Sequence, residues 1–239
     1  MTNLYQNILK STGKKFLAVL IDPDKMRLEA VSEFISKVNQ SVATHIFVGG
    51  SEVAETLTDN LVEEIKKHTA LPVILFPGDV IQITDRADGL LFLSLISGRN
   101  SEYLIGKHVE AITKIQDTNL EVIPTGYILI ENGKVTSVER VSKTKPIPRH
   151  EIQIITNTAI AGELLGMKLI YLEAGSGATH PIESEIISKV KNELDIPLIV
   201  GGGIRSVEAL NSAYDAGADL VVIGTAFEED ENFFNELKK

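Results

Sequence analysis

Eight short apolar runs, each closing on glycine, proline, aspartate, serine or another turn former, recur along the 239 residues. They are FLAVLID from Phe16, HIFVGG from His45, PVILFPG from Pro72, GLLFLSLIS from Gly89, EVIPTGYILI from Glu121, LIYLEAG from Leu169, PLIVGGG from Pro197 and LVVIGTA from Leu220. Such runs are nearly continuous in β-branched and aliphatic residues, which marks strands covered on both faces, as parallel strands are. Segments with helical spacing lie between most of them, and MRLEAVSEFISKVNQ, with Leu28, Val31, Phe34, Ile35 and Val38 on one side, is typical. Gly217 stands where a helix stop belongs, just before the last run. No Pro/Ser-rich linker divides the chain, so residues 1–239 read as a single domain. An α/β fold with eight alternations at this length fits a (β/α)8 TIM barrel, whose usual size is roughly 250 residues. A doubly wound open sheet is the alternative, and it accounts less well for the count.

Two links depart from the pattern. Between the third and fourth strands only DVIQITDRAD is available, a shortened connection that leaves little room for a crossover helix and predicts an open side to the barrel. After the fifth strand comes ENGKVTSVERVSKTKPIPRH, long and polar, a candidate mobile loop over the mouth or else a solvated insertion.

Charge and composition narrow the function classes. Lys plus Arg number 23 against 33 Asp plus Glu, a net charge of −10, which argues against nucleic acid or an anionic membrane as partner. Cysteine is absent, so disulfides, thiolate nucleophiles and zinc–cysteine sites are excluded. No apolar run approaches the roughly 18 residues of a transmembrane segment, and MTNLYQNILKSTGKK lacks the apolar core of a signal peptide. The expected location is cytoplasmic.

In such a barrel the reactive groups sit at the C-terminal ends of the strands. Three tips there, GSGA from Gly175, GGGIRS from Gly201 and GTA from Gly224, present peptide N–H groups with no side chain over them. Bare N–H groups at strand ends suit a phosphate, although glycines also serve tight turns. Tyr171 and Glu173 share one face of their strand by alternation. A carboxylate beside a phosphate is repulsive unless it grips hydroxyls, so Glu173 is expected to anchor or deprotonate a polyol phosphate; the plainer reading is a solvated strand-end acid. On the opposite rim, Asp22 and Asp24 of IDPDK with Ser51 form an all-oxygen set suited to Mg2+, unless the aspartates merely cap the next helix. Beside them, PVILF, LLFLSL and the short link could wall a groove for a greasy chain.

The ordered set IDPDK, FVGGS, LFPG, SLISGRN, PTGYILI, YLEAGSGA, VGGGIRS and VIGTA closely resembles the geranylgeranylglyceryl phosphate synthase family and its bacterial heptaprenylglyceryl phosphate relatives, from Phe16 to Ala226. That resemblance implies a TIM-barrel prenyltransferase joining a polyprenyl diphosphate, geranylgeranyl diphosphate first, to the C3 hydroxyl of sn-glycerol 1-phosphate with Mg2+. By motif match, Asp22 and Ser51 would hold the metal, with Asp24 beside them. Tyr171, Leu172, Glu173, Ala174, Gly175, Ser176, Gly177, Gly202, Gly203, Gly224 and Thr225 would hold glycerol phosphate, and Glu173 with Tyr171 would act in catalysis. Barrels of this kind often associate, so a homo-oligomer is expected. The sequence has no tryptophan, so any chain-length ruler built on one is absent. Two other readings remain: another phosphate-binding barrel, an isomerase or lyase, and a non-catalytic phosphate-binding barrel.

Overall fold

The structure is a computed structural model that describes residues 3–10, 13–51, 53–229 and 233–238. Eight parallel strands close a barrel in sequence order: β1 (Phe16–Ile21), β2 (His45–Val48), β3 (Val73–Leu75), β4 (Gly89–Leu95), β5 (Glu121–Leu129), β6 (Leu169–Glu173), β7 (Leu198–Gly201) and β8 (Leu220–Ile223). Each of the eight apolar runs supplies one strand. The β8–β1 register, Phe16 opposite Leu220, completes the closure.

Alternation along each strand sorts the core into two shells. Ala18, Phe47, Ile74, Leu91, Ile123, Tyr171, Ile199 and Val222 fill the barrel interior. Val19, Ile46, Leu75, Leu90, Ile170, Val200 and Val221 face outward against the helices. Both faces are buried, which is why the sequence runs look continuously apolar. The same parity carries Asp22, one step beyond Leu20, and Glu173, one step beyond Tyr171, onto the inward side at the mouth.

The outer ring holds α2 (Leu28–Gln40), α3 (Leu57–Lys66), α4 (Lys107–Ile115), α6 (Ile152–Leu164), α7 (Ser184–Lys191) and α8 (Val207–Asp215). A π-helical turn, Glu102–Gly106, leads into α4. The short third link contains only a 3₁₀ turn, Val80–Gln82, as its length requires. No helix among the described residues is long and apolar enough to cross a membrane.

Two features lay beyond the sequence reading. A short helix, α1 (Leu4–Leu9), plugs the bottom of the barrel with Leu4 and Ile8, whose four-residue spacing was its signal. Its first N–H groups, Leu4 and Tyr5, donate to the Glu121 carboxylate at 2.5 and 2.9 Å, which supplies the acceptor that a helix start lacks. The long fifth link is no solvated insertion. It forms α5 (Ser137–Ser142), capped where the Thr136 hydroxyl accepts from Glu139 N at 3.1 Å, and it buries Asn132, Thr136, Ser142 and Thr144.

His45 opens β2 in the barrel floor, edge-on to Phe16 with Nδ1 2.8 Å from the Thr44 hydroxyl. Burial lowers its pKa from 6.5 to about 4. The unfolded chain therefore takes up a proton that the folded chain refuses. This contribution to stability is whole above the unfolded value and is lost as pH falls through the interval, roughly 3 kcal/mol in all. Urea midpoints measured from neutral pH down to about pH 4 should fall, and His45→Gln should flatten that slope.

Candidate active site

A cavity of about 390 Å³ opens at the C-terminal ends of the strands, with Asp22, Ser51, Phe76, Tyr127, Tyr171, Glu173, Gly202 and Thr225 among its walls. Its floor is aromatic. The Tyr171 ring stacks on Phe76 with centroids 5.2 Å apart and meets Tyr127 edge-on at 5.3 Å. Strand register explains the grouping, since Tyr127 lies opposite Tyr171 and Leu129 opposite Glu173.

Glu173 is 5% exposed, and its Oε1 accepts the Gly175 N–H at 2.5 Å. Burial raises its pKa above the usual carboxylate value, while the Gly175 N–H and the hydroxyls of Tyr171 and Tyr127 pull the other way. A carboxyl so held is poised to take a proton at a higher pH than a surface glutamate. Burial and the nearby carboxylate push both tyrosines well above their ordinary range, so both stay protonated. The Tyr171 hydroxyl is buried and meets no acceptor at hydrogen-bond geometry, although it lies close enough to Glu173 to steady its charge. A buried donor without an acceptor costs free energy unless a ligand supplies one. Tyr127 was passed over in the sequence as a site residue; only pairing of β5 with β6 brings it to Glu173.

The glycine tips converge as expected, with a division of roles that spacing could not give. Gly175, Gly177, Gly202 and Gly203 all have positive φ, from +63° to +100°. Two N–H groups of the Gly175–Gly177 turn are already engaged: Gly175 on Glu173, and Gly177 on the Thr225 hydroxyl at 3.2 Å. The Ser176 hydroxyl lies 3.3 Å from that of Thr225. The peptide N–H groups of Ser176, Gly202, Gly203 and Thr225 have no acceptor among the described residues. They are the open donors of this rim. Thr225 begins a short helix, α9 (Thr225–Glu229), and Ser206 caps α8 by accepting from Ala209 N at 3.1 Å. The Arg205 guanidinium ties the tips together through Ala178 O at 2.8 Å and Glu229 at 3.2 Å.

On the other rim, Asp22 Oδ1 accepts the Asp24 N–H at 3.1 Å and Oδ2 lies 3.6 Å from Lys25 Nζ. A Cβ on Gly50 would come within 2.6 Å of that Oδ1, so the loop carrying Ser51 packs directly against the Asp22 carboxylate. Gln82, buried in the 3₁₀ turn, clamps Gly50 from both sides: its Oε1 accepts Gly50 N at 3.2 Å and its Nε2 donates to Gly50 O at 2.7 Å. Nothing in the sequence marked Gln82. Asp24 lines the cavity too, with Oδ1 3.4 Å from Ala54 N. The described residues hold no cluster of three metal-ligating side chains. One carboxylate with a hydroxyl on the adjoining loop is an oxygen donor set that would suit a divalent cation such as Mg2+.

Because the third link is only a turn, the cavity runs out past β4. Val80, Ile83, Phe92, Tyr103, His108 and Ala111 line this arm, with Val138 and Val141 of α5 above it. An apolar groove therefore lies where the short link predicted one. An ion pair of Lys107 with Asp79 spans from α4 to the link.

The PcrB family profile matches residues 9–239. Geranylgeranylglyceryl phosphate synthase of Flavobacterium johnsoniae is 54% identical, over 98% of this chain and 98% of its own. The protein of that name from Zunongwangia profunda is 56% identical, over 97% and 99%. The crystal structure of (S)-3-O-geranylgeranylglyceryl phosphate synthase from Thermoplasma acidophilum in complex with substrate sn-glycerol-1-phosphate superposes with a TM-score of 0.93 at 34% identity, covering 99% of this chain and 96% of that one. With its barrel, its paired glycine tips and its full-length match to these synthases, the chain belongs to the PcrB family.

Proposed function

We propose that this chain is a prenyltransferase that joins the C3 hydroxyl of sn-glycerol 1-phosphate to a polyprenyl diphosphate, geranylgeranyl diphosphate first. One observation carries the reading: a single cavity combines open peptide donors on one rim, an apolar arm on the other side and a buried glutamate between them. The names of the relatives support the same substrates.

In this mechanism the N–H groups of Ser176, Gly202, Gly203 and Thr225 hold the glycerol phosphate, and the Ser176 and Thr225 hydroxyls line its seat. Glu173 orients the C3 hydroxyl and accepts its proton, while the buried Tyr171 hydroxyl beside it steadies the carboxylate. The new bond joins glycerol O3 to prenyl C1, and the C1–O bond to diphosphate breaks with its electrons leaving on oxygen. The apolar arm holds the chain and keeps water from the electron-poor carbon. Asp22 and Ser51, together with Asp24, would hold Mg2+, and the ion would neutralise the charge of the departing diphosphate. Fixing the hydroxyl in place removes the entropy cost of a bimolecular encounter.

The test is a phase partition. Labelled glycerol 1-phosphate incubated with geranylgeranyl diphosphate and Mg2+ should move label into organic solvent, and EDTA should stop it. Label that stays in water with every prenyl length rejects the reading. Asp22→Asn should lose on the order of 10²-fold or more in kcat with its fold intact; full activity in that variant would remove Asp22 from the metal site.

A further inference from the structure

Ala174 and Gly175 join the buried glutamate to the open turn, and all four of their backbone polar groups are engaged. Ala174 N–H donates to Gly201 O at 3.0 Å, Gly175 N–H to Glu173 Oε1 at 2.5 Å, and Gly175 O accepts from Ala178 N at 3.1 Å. The fourth group, the Ala174 carbonyl, accepts from Nδ2 of Asn132, a side chain of the link after β5 that is 1% exposed. The Lys134 N–H donates to the other end of that amide, Oδ1, at 3.2 Å, so nitrogen rather than oxygen meets the carbonyl. Asn132 reaches this place because β5 is held one step past its end: Ile130 N donates to Glu173 O at 2.9 Å, and Glu131 N to Ile147 O at 3.0 Å. Thr136 of the same link sets its methyl against Gly175, where an added Cβ would collide with it.

One peptide unit therefore rests on two side chains, its oxygen on Asn132 and its N–H on Glu173. We propose that Asn132 is a positioning residue for prenyl transfer: its amide holds the Ala174–Gly175 peptide in the orientation that turns an N–H toward Glu173 and leaves the Ser176 and Gly202 N–H groups open. This rests on Glu173 accepting the substrate proton, as above. Gly175, at φ +100°, restrains rotation of that peptide less than any other residue would. A buried carbonyl without a donor is costly, so without Asn132 the peptide gains a reason to turn over. Turned over, it would present its carbonyl to Glu173 Oε1, repel the charge there and withdraw the N–H. The anion rim would move with it, since a Cβ on Gly202 would stand 2.7 Å from Gly175 N and 2.9 Å from Gly175 O. Asn132 stands behind the turn, outside the cavity lining, and so acts through the peptide rather than on substrate.

Asn132→Ser tests this. Serine is too short to reach the Ala174 carbonyl, yet its hydroxyl can still accept the Lys134 N–H, so the local turn is kept. The Gly175 N–H lowers the Glu173 pKa; its loss should move the acid limb of kcat/KM up by about one pH unit and lower kcat roughly tenfold. The Tyr171 and Tyr127 hydroxyls that face the same carboxyl, and the charges of Asp22, Asp24, Lys25, Asp79, Lys107 and Arg205 around the cavity, are unaltered. Thr136→Val is the control. It keeps a methyl on Gly175 but removes the hydroxyl that caps α5, so it should melt lower and leave the limb in place. A 13C NMR titration of the Glu173 carboxyl in the unaltered and Asn132→Ser proteins should read the same upward shift without turnover, so a parent protein that transfers no prenyl group, which would reject the function, still shows whether Asn132 governs Glu173. An acid limb or a carboxyl titration that stays in place in Asn132→Ser, or an equal shift in Thr136→Val, would overturn the proposal. If Asn132→Ser does not fold, the unaltered protein decides by NMR. An Asn132 side-chain amide proton should exchange with deuterium far more slowly than those of exposed Asn157, and its resonance should move in Glu173→Gln; fast exchange or an unmoved resonance would overturn it.

Discussion

Glu173→Gln should fold and lose turnover by roughly 10²- to 10⁴-fold, the range expected when a positioned base is removed. Glutamine keeps the carbonyl oxygen that the Gly175 N–H needs, so the turn that depends on it survives. The pH profile gives a second reading. Because burial raises the Glu173 pKa above the 4.5 of an ordinary glutamate, the acid limb of kcat/KM should sit above that value and vanish into the residual rate of the variant. Stability should move the opposite way. A carboxyl that binds its proton more tightly when folded helps the fold at low pH and loses that help as pH rises through the folded pKa. At neutral pH the variant should therefore melt no lower than the parent, and its advantage should shrink in acid. Normal kinetics in the variant would remove Glu173 from the chemistry. A large fall in melting temperature would mean that the carboxylate is structural.

Gly202→Ala should do more harm than its size suggests. A Cβ there would stand 2.6 Å from Glu173 Oε1 and 2.7 Å from Gly175 N, at a φ of +87°. Left-handed backbone alone costs an alanine roughly 1–2 kcal/mol. The clash adds displacement of the glutamate and of the turn it holds, so KM for glycerol 1-phosphate should rise and kcat fall, together on the order of 10²-fold in kcat/KM. Gly166→Ala separates the two causes. Its φ is +95°, yet nothing lies within 4 Å of the added carbon, so it should lose a little stability and no activity. Equal kinetic damage in both variants would show that Gly202 matters only as a flexible hinge.

Much of the site was legible because strand alternation is a local rule. Phe16, Ala18, Leu20 and Asp22 share one parity, as do Leu169, Tyr171 and Glu173, so the sequence already tells which residues face the mouth once the barrel is assumed. The short DVIQITDRAD link likewise announced the apolar arm, since ten residues cannot build a crossover helix. Tyr127 and Gln82 were hidden for the opposite reason. Each acts on a residue about thirty to fifty positions away, and no local pattern encodes that pairing.

By itself, then, the order of residues determined the barrel, the rim with the glycine turns and the rim with the carboxylates, because chain connectivity and a period of two fix their places. Only the closed tertiary structure decided which glycine N–H groups are spent on Glu173 and Thr225 and which stay open. It also decided that Glu173 is a buried acid rather than a solvated one, because burial and hydrogen-bond partners depend on what the other seven strands bring to the same place.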